Sequence, residues 1–103
     1  MMQGDEKNLN IEILNRNQVP ITADDVSDVE IVVGSLRKTY KNGEVFFDAD
    51  KSKWICPVTQ EETFTLPASR VKAQARILWP NGEVEGCPLG YVNIHESISK
   101  EVL

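Results

Sequence analysis

One segment, Val71 to Trp79, constrains the fold of this chain more than any other feature. It reads VKAQARILW, so that apolar residues at the odd positions alternate with mostly polar residues at the even positions. Successive side chains of a β-strand point to opposite faces of its sheet, and this alternation therefore predicts a strand with one buried face. Pro80-Asn81-Gly82 follows directly, and Asn-Gly is a strong hairpin signal because both residues tolerate a positive φ.

Other β-rich runs recur at short intervals along the chain and are separated by turn-forming residues. We predict further strands at Leu9–Leu14, Val29–Val33, Leu36–Tyr40, Val45–Phe47, Lys53–Val58, near Val84, and at Tyr91–Ile98. No segment shows a long helical period. Several short strands with turn signals between them indicate an all-β protein, an antiparallel β-sandwich of about seven strands.

The connections between these runs carry their own signals. Gly34-Ser35 interrupts a strand run and indicates a β-bulge, whereas Asn42-Gly43 predicts a second hairpin. Gly86, Pro88 and Gly90 are expected to break the segment after the Asn-Gly hairpin into a bend or loop. The glycines tolerate unusual backbone angles, and the proline lacks an amide donor.

A single helical turn is predicted directly after the Lys53–Val58 strand. Thr59 and Glu62 have the spacing of a capping box, in which each side chain binds the backbone N–H of the other residue. We therefore expect one turn at Thr59–Thr63. Because Pro57 has no amide to donate, the preceding strand should end there or run along a sheet edge.

The length of 103 residues indicates one domain. We expect a flexible tail at residues 1–8, the sandwich at residues 9–98, and a C-terminal tail at residues 99–103. The chain has 16 Asp and Glu against 11 Lys and Arg, a net charge of −5, which opposes binding to nucleic acid or to an anionic membrane surface. A transmembrane run and a basic, apolar signal peptide are both absent from the sequence, so we expect folding in a cytoplasm.

The two cysteines, Cys56 and Cys87, are expected to be free thiols that act as small apolar side chains. A disulfide stays open as an alternative if two strands bring them together. With one histidine and two separated cysteines, the chain lacks the tight ligand spacing of a metal cluster.

Few residues suggest catalysis. His95 is the one histidine, and a catalytic role would need a nucleophile and an orienting carboxylate around it. Ser97 and Glu96 are merely its neighbours in sequence, so we expect a surface histidine. Glu61-Glu62 could suggest a glycosidase, but paired catalytic carboxylates must face each other across a cleft, and neighbours on a capped turn diverge.

Two clusters could bind ligands. Asp24, Asp25 and Asp28 could suggest calcium, but they lack the fixed offsets, central glycine and terminal glutamate of an EF-hand, and a solvated acidic turn is expected. The aromatic residues could form a sugar-binding platform, although core positions are the stronger expectation; they are Tyr40, Trp54, Trp79 and Tyr91. We therefore expect no catalytic, cofactor-binding or metal-binding residues.

The order of these features is similar to that of a known family. Three parts carry the likeness: Leu9–Leu14 with Pro20-Ile21 and Val29–Val33; Trp54-Ile55-Cys56-Pro57-Val58 running into Thr59-Gln60-Glu61-Glu62-Thr63; and Val71–Arg76 with a last strand at Val92–Ile98. Together they resemble the small immunoglobulin-like domain at the N-terminus of bacteriophage baseplate upper proteins and of related phage tail proteins. The resemblance covers most of the chain, from Leu9 to Ile98.

Two departures from the family accompany this resemblance. Family members often have a glycine just before the strand placed at Val71, where this chain has Ala68-Ser69-Arg70. The family domain usually begins a much longer protein, whereas this chain has one domain, which suggests a stand-alone component of a tail or baseplate encoded in a phage or prophage.

The resemblance implies a non-enzymatic structural module of the virion, made in the bacterial cytoplasm. Its partners would be other tail or baseplate proteins, with a homo-oligomer left open, and it would bind neither nucleic acid nor membrane and hold no cofactor. Leu9–Leu14 and Tyr91–Ile98 are the sheet edges where docking is expected. The rival is a carbohydrate-binding β-sandwich, which needs exposed aromatic residues on one concave face, so the exposure of Trp54, Tyr40 and Tyr91 separates the two.

Overall fold

The computed structural model describes residues 1–99 and 102–103. Within them, seven strands form two antiparallel sheets, with one short α-helix and one 3-10 turn (Ala23–Asp25) in the connections. The strands are β1 (Lys7–Ile11), β2 (Asp28–Val33), β3 (Leu36–Thr39), β4 (Phe46–Asp48), β5 (Lys53–Val58), β6 (Arg70–Leu78) and β7 (Val84–Asn93), and helix α1 (Gln60–Phe64) links β5 to β6. The predicted all-β sandwich with a helical turn is confirmed.

The strand order is that of an immunoglobulin-like fold. Sheet I has the order β1-β5-β4, and sheet II has the order β3-β2-β6-β7. If the strands are lettered from B onward, sheet I is B-E-D and sheet II is C′-C-F-G, the Greek-key arrangement of immunoglobulin domains. In the described part of the chain, no strand of sheet I lies outside β1, where strand A of such a domain would pair.

The alternation that predicted β6 is confirmed by burial. Val71, Ala73, Ala75 and Ile77 are buried, while the residues between them are exposed. Trp79, which was expected on the same buried stripe, follows the end of the strand and is half-buried. The strand lies at the centre of sheet II between β2 and β7, and therefore its apolar face forms the floor of the core.

The opposite side of the core is built around Trp54 on β5. Its side chain is fully buried, and its indole Nε1–H donates to the carbonyl oxygen of Ile21 at 3.0 Å. Tyr40 packs edge-on against the indole at 5.3 Å between ring centroids, and Phe47 packs at 5.1 Å. A buried indole is stable in a core only when its N–H has a partner, and this hydrogen bond supplies it.

Two turn predictions were wrong. Gly34-Ser35 is the two-residue turn of a β2–β3 hairpin, not a bulge, since Val33 pairs directly with Leu36. Gly34 has φ +58°, as the first position of a type II′ turn requires, and a Cβ there would collide with Val71. Asn42-Gly43 does not close a hairpin, because β3 and β4, which it connects, belong to different sheets.

The expected bend after Val84 was also wrong, because β7 is a continuous strand of ten residues. Gly90 pairs with Ala73 and Pro88 pairs with Gln74, which leaves Leu89 as the extra residue of a β-bulge. Gly90 has φ +91°, a conformation that glycine adopts without strain. Because β7 is an edge strand, Pro88 can be accommodated without disrupting the sheet.

The N-terminal segment lies against the sandwich. Met2 forms a parallel bridge with His95, and the Gly4 N–H donates to Thr63 Oγ1 at 2.8 Å. Strand β1 begins at Lys7 and ends at Ile11, so the expected boundary at residue 8 falls inside the strand. The opening strand is therefore shifted toward the N-terminus relative to the predicted Leu9–Leu14.

The closing strand also differs from its prediction. Strand β7 ends at Asn93, and beyond it Ile94 is buried as expected, but Ile98 is fully exposed. The predicted strand at Tyr91–Ile98 is therefore wrong in its second half. The predicted C-terminal tail, residues 99–103, includes Lys100 and Glu101, which lie outside the described residues.

Candidate functional site

The sandwich has four edge strands, and they differ in how their unpaired backbone groups are protected. Strands β1 and β4 are the edges of sheet I, and β3 and β7 are the edges of sheet II. An edge strand presents a row of free N–H and C=O groups that can pair with another chain, and natural proteins block such pairing with short strands, prolines, bulges or inward-pointing charges. An edge without these devices is a candidate docking site.

Strand β3 is protected by an inward-pointing lysine. Lys38 lies opposite Ile31, on the core side of sheet II, and its Nζ contacts both carboxylate oxygens of Glu62 at 2.6 and 2.7 Å. Glu62 also accepts a hydrogen bond from the Thr59 backbone N–H at 2.9 Å and completes the predicted capping box of α1. Its neighbour Glu61 is not buried. Glu62 therefore has a structural role.

The electrostatics of this pair favour the charged form of Glu62. Burial tends to raise the pKa of the carboxyl group, but the hydrogen bonds from Lys38 and Thr59 and the charge of Lys38 outweigh it, so that the pKa is lowered overall. A charge held on the core side of an edge strand opposes pairing with another chain, because an incoming strand would have to desolvate it.

Strands β4 and β7 are protected by other means. Strand β4 has only three residues, from Phe46 to Asp48. Strand β7 is interrupted by Pro88 and by the bulge at Leu89, and Glu85 lies opposite the buried Ile77, on the core side of the strand. Short length, a missing amide, a bulge and an inward charge are each recognised ways of blocking an edge.

Strand β1 has fewer of these devices: it is short, with five residues, and its first residue, Lys7, is an exposed charged side chain opposite the buried Val58. From Asn8 to Ile11 it carries no proline, glycine, bulge or charged side chain. Its pairing with β5 is regular, from Lys7 opposite Val58 to Ile11 opposite Trp54. Its other side has no paired strand in the described part of the chain. Beyond Lys7, strand β1 is therefore the least protected edge of the molecule.

A hollow of about 180 Å³ opens between the two sheets behind β1. Its lining is mostly apolar and comes from both sheets: Leu9, Asn10, Ile11, Val33, Ala73, Leu89 and Val92. Leu9 and Ile11 are half-buried, and each packs against the core and also lines the hollow. Apolar surface left partly exposed beside a free strand edge is a feature of protein-binding sites.

The edge and the hollow can act together on an extended peptide segment. The free backbone groups of β1 can pair with an added strand, and the apolar side chains of that strand can enter the hollow. The outward residues Asn8 and Asn10 are exposed and polar, and they can form cross-strand hydrogen bonds with polar residues of the added strand. We call this combination of the β1 edge and the hollow the β1 site.

The remaining sequence candidates are distributed around the molecule. His95 is exposed, as expected, and its backbone forms the bridge to the N-terminal segment: its N–H donates to Met1 at 2.8 Å and its carbonyl accepts from Gln3 at 2.8 Å. Ser97 donates instead to the Ser99 carbonyl at 2.7 Å. The structure therefore does not join His95 and Ser97 into a nucleophile and base.

The three aspartates of the acidic turn are engaged by the backbone or exposed. Asp25 accepts from the Thr22 N–H at 2.9 Å, and Asp28 accepts from the N–H groups of Val29 and Lys41 at 2.8 and 2.9 Å. Asp24 is exposed. Among the described residues, no group of three or more His, Cys, Asp or Glu side chains is placed to hold a metal ion.

The aromatic residues do not share a face. Trp54 is fully buried, and Tyr40 is half-buried against it. Tyr91 is 54% exposed on the outer face of sheet II, where the Arg70 guanidinium lies 4.2 Å from the centre of its ring. A sugar-binding platform needs several exposed rings on one surface, whereas Trp54 is enclosed in the core and Tyr91 lies on the outer face of sheet II.

Both cysteines are free thiols. Cys56 is buried on β5, directly opposite Leu9, and burial raises the pKa of its thiol to about 11. Cys87 is half-exposed on β7, in the other sheet. The two strands do not bring the cysteines into a disulfide, and both thiols are free as predicted.

The positions of two residues were not predicted, Leu89 in the β1 site and Lys38 on β3. Leu89 was expected in a bend or loop, although it is the bulge residue that lines the hollow. Lys38 was expected only to lie in a strand, and the structure places it on the core side of β3. The available signal was the phase of the alternation, since Leu36, Lys38 and Tyr40 share one side of that strand.

Comparisons with family models, with curated proteins and with solved structures found no match to this chain. Within the described residues, no helix is long and apolar enough to cross a membrane.

Proposed function

We propose that this protein is a non-enzymatic structural module of a phage or prophage tail or baseplate. It acts through protein–protein contacts, and it has no catalytic, cofactor-binding or metal-binding residues. The observation that carries the proposal is the β1 site, the least protected edge strand of the described residues, with an apolar hollow beside it. The tail or baseplate assignment rests on the resemblance of the sequence to the immunoglobulin-like domain of baseplate upper proteins.

The β1 site suits an assembly role because it can be completed by another chain. Pairing an added strand with β1 would satisfy the free backbone groups and cover the exposed sides of Leu9 and Ile11. In a tail or baseplate, a neighbouring subunit would supply this strand. The partners are then other tail or baseplate proteins, and the protein is a component of the virion that is made in the bacterial cytoplasm.

Light scattering after size-exclusion chromatography tests this proposal, over a concentration series and with tail proteins encoded beside this chain added. We expect a complex that is lost in Leu9→Lys, because a lysine facing the hollow would place a charge where an apolar side chain must enter. Leu36→Lys is the matched control, since Leu36 is also a half-buried leucine on an edge strand, β3.

The opposite outcome would favour the carbohydrate-binding alternative. A strict monomer that ignores every tail protein, and that is retained on a polysaccharide column, would reverse the proposal. Genes flanking the coding sequence provide an independent check, since tail genes on both sides support the assignment and metabolic or secretory genes oppose it.

A further inference from the structure

The outer face of sheet II carries an excess of positive charge in an otherwise acidic molecule. Every charged residue on the exposed side of β6 is a cation: Arg70, Lys72 and Arg76. Arg37 joins them from β3, since it lies opposite the outward-facing Val32. We call these four residues and the strand surface between them the basic face.

The charge is segregated between this face and the rest of the chain. The basic face has four of the 11 Lys and Arg residues but only two of the 16 Asp and Glu residues, Asp28 and Glu30. The face therefore has a net charge of +2, and the remainder of the chain has −7, which together give the total of −5. Potentials of opposite sign on two parts of one surface orient charged partners.

The two carboxylates of the face are already occupied. Glu30 is paired with Arg37 and lies 3.7 Å from Arg76, and Asp28 accepts two backbone N–H groups. Arg70 and Lys72, in contrast, form no ion pair with any carboxylate of the described residues. Their charge is therefore available to an external anion.

A hollow lies beside Lys72, and one of its lining residues, Tyr91, is the residue on which the Arg70 guanidinium packs. It has a volume of about 280 Å³ and is lined by Lys72, Gln74, Pro88, Gly90 and Tyr91, together with Ala73. It exists because the bulge in β7 displaces the strand and because Gly90 has no side chain to fill the space. Lys72 and Gln74 offer N–H donors at its rim, which suits a carboxylate.

We propose that the basic face binds a carboxylate-rich segment of a different protein, with an Asp or Glu side chain in the hollow beside Lys72. A second copy of this chain docked face to face would bring like charges together, which opposes that arrangement. A long nucleic acid would extend beyond the face onto the acidic remainder of the molecule. The basic face lies on sheet II and the β1 edge on sheet I, so this inference goes beyond the proposed function and stands or fails separately.

Fluorescence anisotropy with labelled poly-L-glutamate tests this inference on the whole chain. We expect binding that weakens as salt is added, and that falls by about tenfold or more in the double variant Arg70→Gln, Lys72→Gln. The matched control is Arg16→Gln, Lys51→Gln, which removes the same charge from two exposed loop positions and should bind as the wild type does. If the double variant loses its native circular dichroism, Lys72→Gln alone serves in its place.

Several results would overturn the inference. Absence of binding to poly-L-glutamate, or equal weakening in the control variant, would show that the basic face is not a specific site. Tighter binding to single-stranded DNA of matched length would assign the face to nucleic acid. Self-association of the wild type that the double variant abolishes would identify a second copy as the partner.

Discussion

Strands β1 and β3 are both edges of the same sandwich, but only β3 has an ion-paired charge on its core side that opposes pairing with another chain. On the core side of β3, Lys38 is held in an ion pair with Glu62, so an added strand would meet a charge. On the core side of β1, Leu9 and Ile11 border an apolar hollow. Both strands are short, so the difference lies in the side chains that face the core.

The contrast shows how one domain can direct its contacts. Edge strands are liabilities wherever they are not blocked, and this molecule blocks β3, β4 and β7 by different means. Under the proposed function, association would be concentrated at β1, on one side of the molecule. Pairing that would cause aggregation at four open edges would then be limited to one docking edge.

The largest effect on stability should come from a substitution that unfolds the sandwich, and with it both edge strands. Ile77 is buried on β6, so Ile77→Asp places an uncompensated carboxylate in the core, at a cost of roughly 3–5 kcal/mol. Arg76→Asp changes the exposed neighbour and should stay folded. Thermal unfolding followed by circular dichroism checks this, and similar melting temperatures for the two variants would show that the register of β6 is shifted by one residue.

Removing the inward charge of β3 should turn a protected edge into an open one. In Lys38→Leu the ion pair is lost and the Glu62 carboxylate keeps only its capping hydrogen bonds, so we expect the free energy of unfolding to fall by about 1–3 kcal/mol. The chain should then self-associate at concentrations where the wild type does not. Analytical ultracentrifugation measures this, with Lys41→Leu, on an exposed turn, as the control; equal association of the two variants would refute a protective role for Lys38.

The ion pair between Lys38 and Glu62 should also make the free energy of unfolding depend on pH in the acid range. Because the pKa of Glu62 is lowered in the folded state, its contribution is present above the ordinary glutamate pKa, about 4.3, and is lost as the pH falls through the lower folded value. Urea unfolding at a series of pH values should show this loss in the wild type. Glu62→Gln should reduce the pH dependence in that range, and an unchanged pH dependence would count against the assignment.

The smallest expected effect is a difference in thiol reactivity between the two cysteines, which lie in different sheets. Cys87 is half-exposed and should react readily with a thiol reagent. Cys56 is buried beside Leu9 of β1, and burial raises the pKa of its thiol to about 11. Cys56 should therefore react only when β1 separates from β5 or the protein unfolds. Denatured, unreduced protein should show both thiols. Leu9→Ala should speed the labelling of Cys56 by weakening the packing of β1, and leave Cys87 unchanged; finding neither thiol free would end this interpretation.

The parts of the fold that were predicted correctly depend on short-range patterns. The alternation along β6 determines its buried face, and the capping box of Thr59 and Glu62 lies within one turn of helix. The same alternation holds along the predicted strand Lys53–Val58, where Trp54 and Cys56 are both buried. In each case the residues that carry the signal are also the residues that form the interaction.

The errors came from features that depend on distant residues. Asn42-Gly43 shows that the chain turns, but whether the next strand pairs in the same sheet depends on β5, with which β4 pairs. Pro88 and Gly90 were predicted to break the segment after Val84, but an edge strand can contain both residues. The hollow of the β1 site joins residues of β1, β2, β6 and β7, so no local pattern could have predicted it.

Hydrogen–deuterium exchange of the free protein and of its proposed complex with a tail protein tests the open edge most directly. We expect those amides of Lys7–Ile11 that point away from β5 to gain protection in the complex, because an added strand pairs with them, while the amides of Leu36–Thr39 in β3 exchange as they do in the free protein. A complex in which the β1 amides exchange at the free rate, or in which protection appears at β3 instead, would contradict the assignment of β1 as the docking edge.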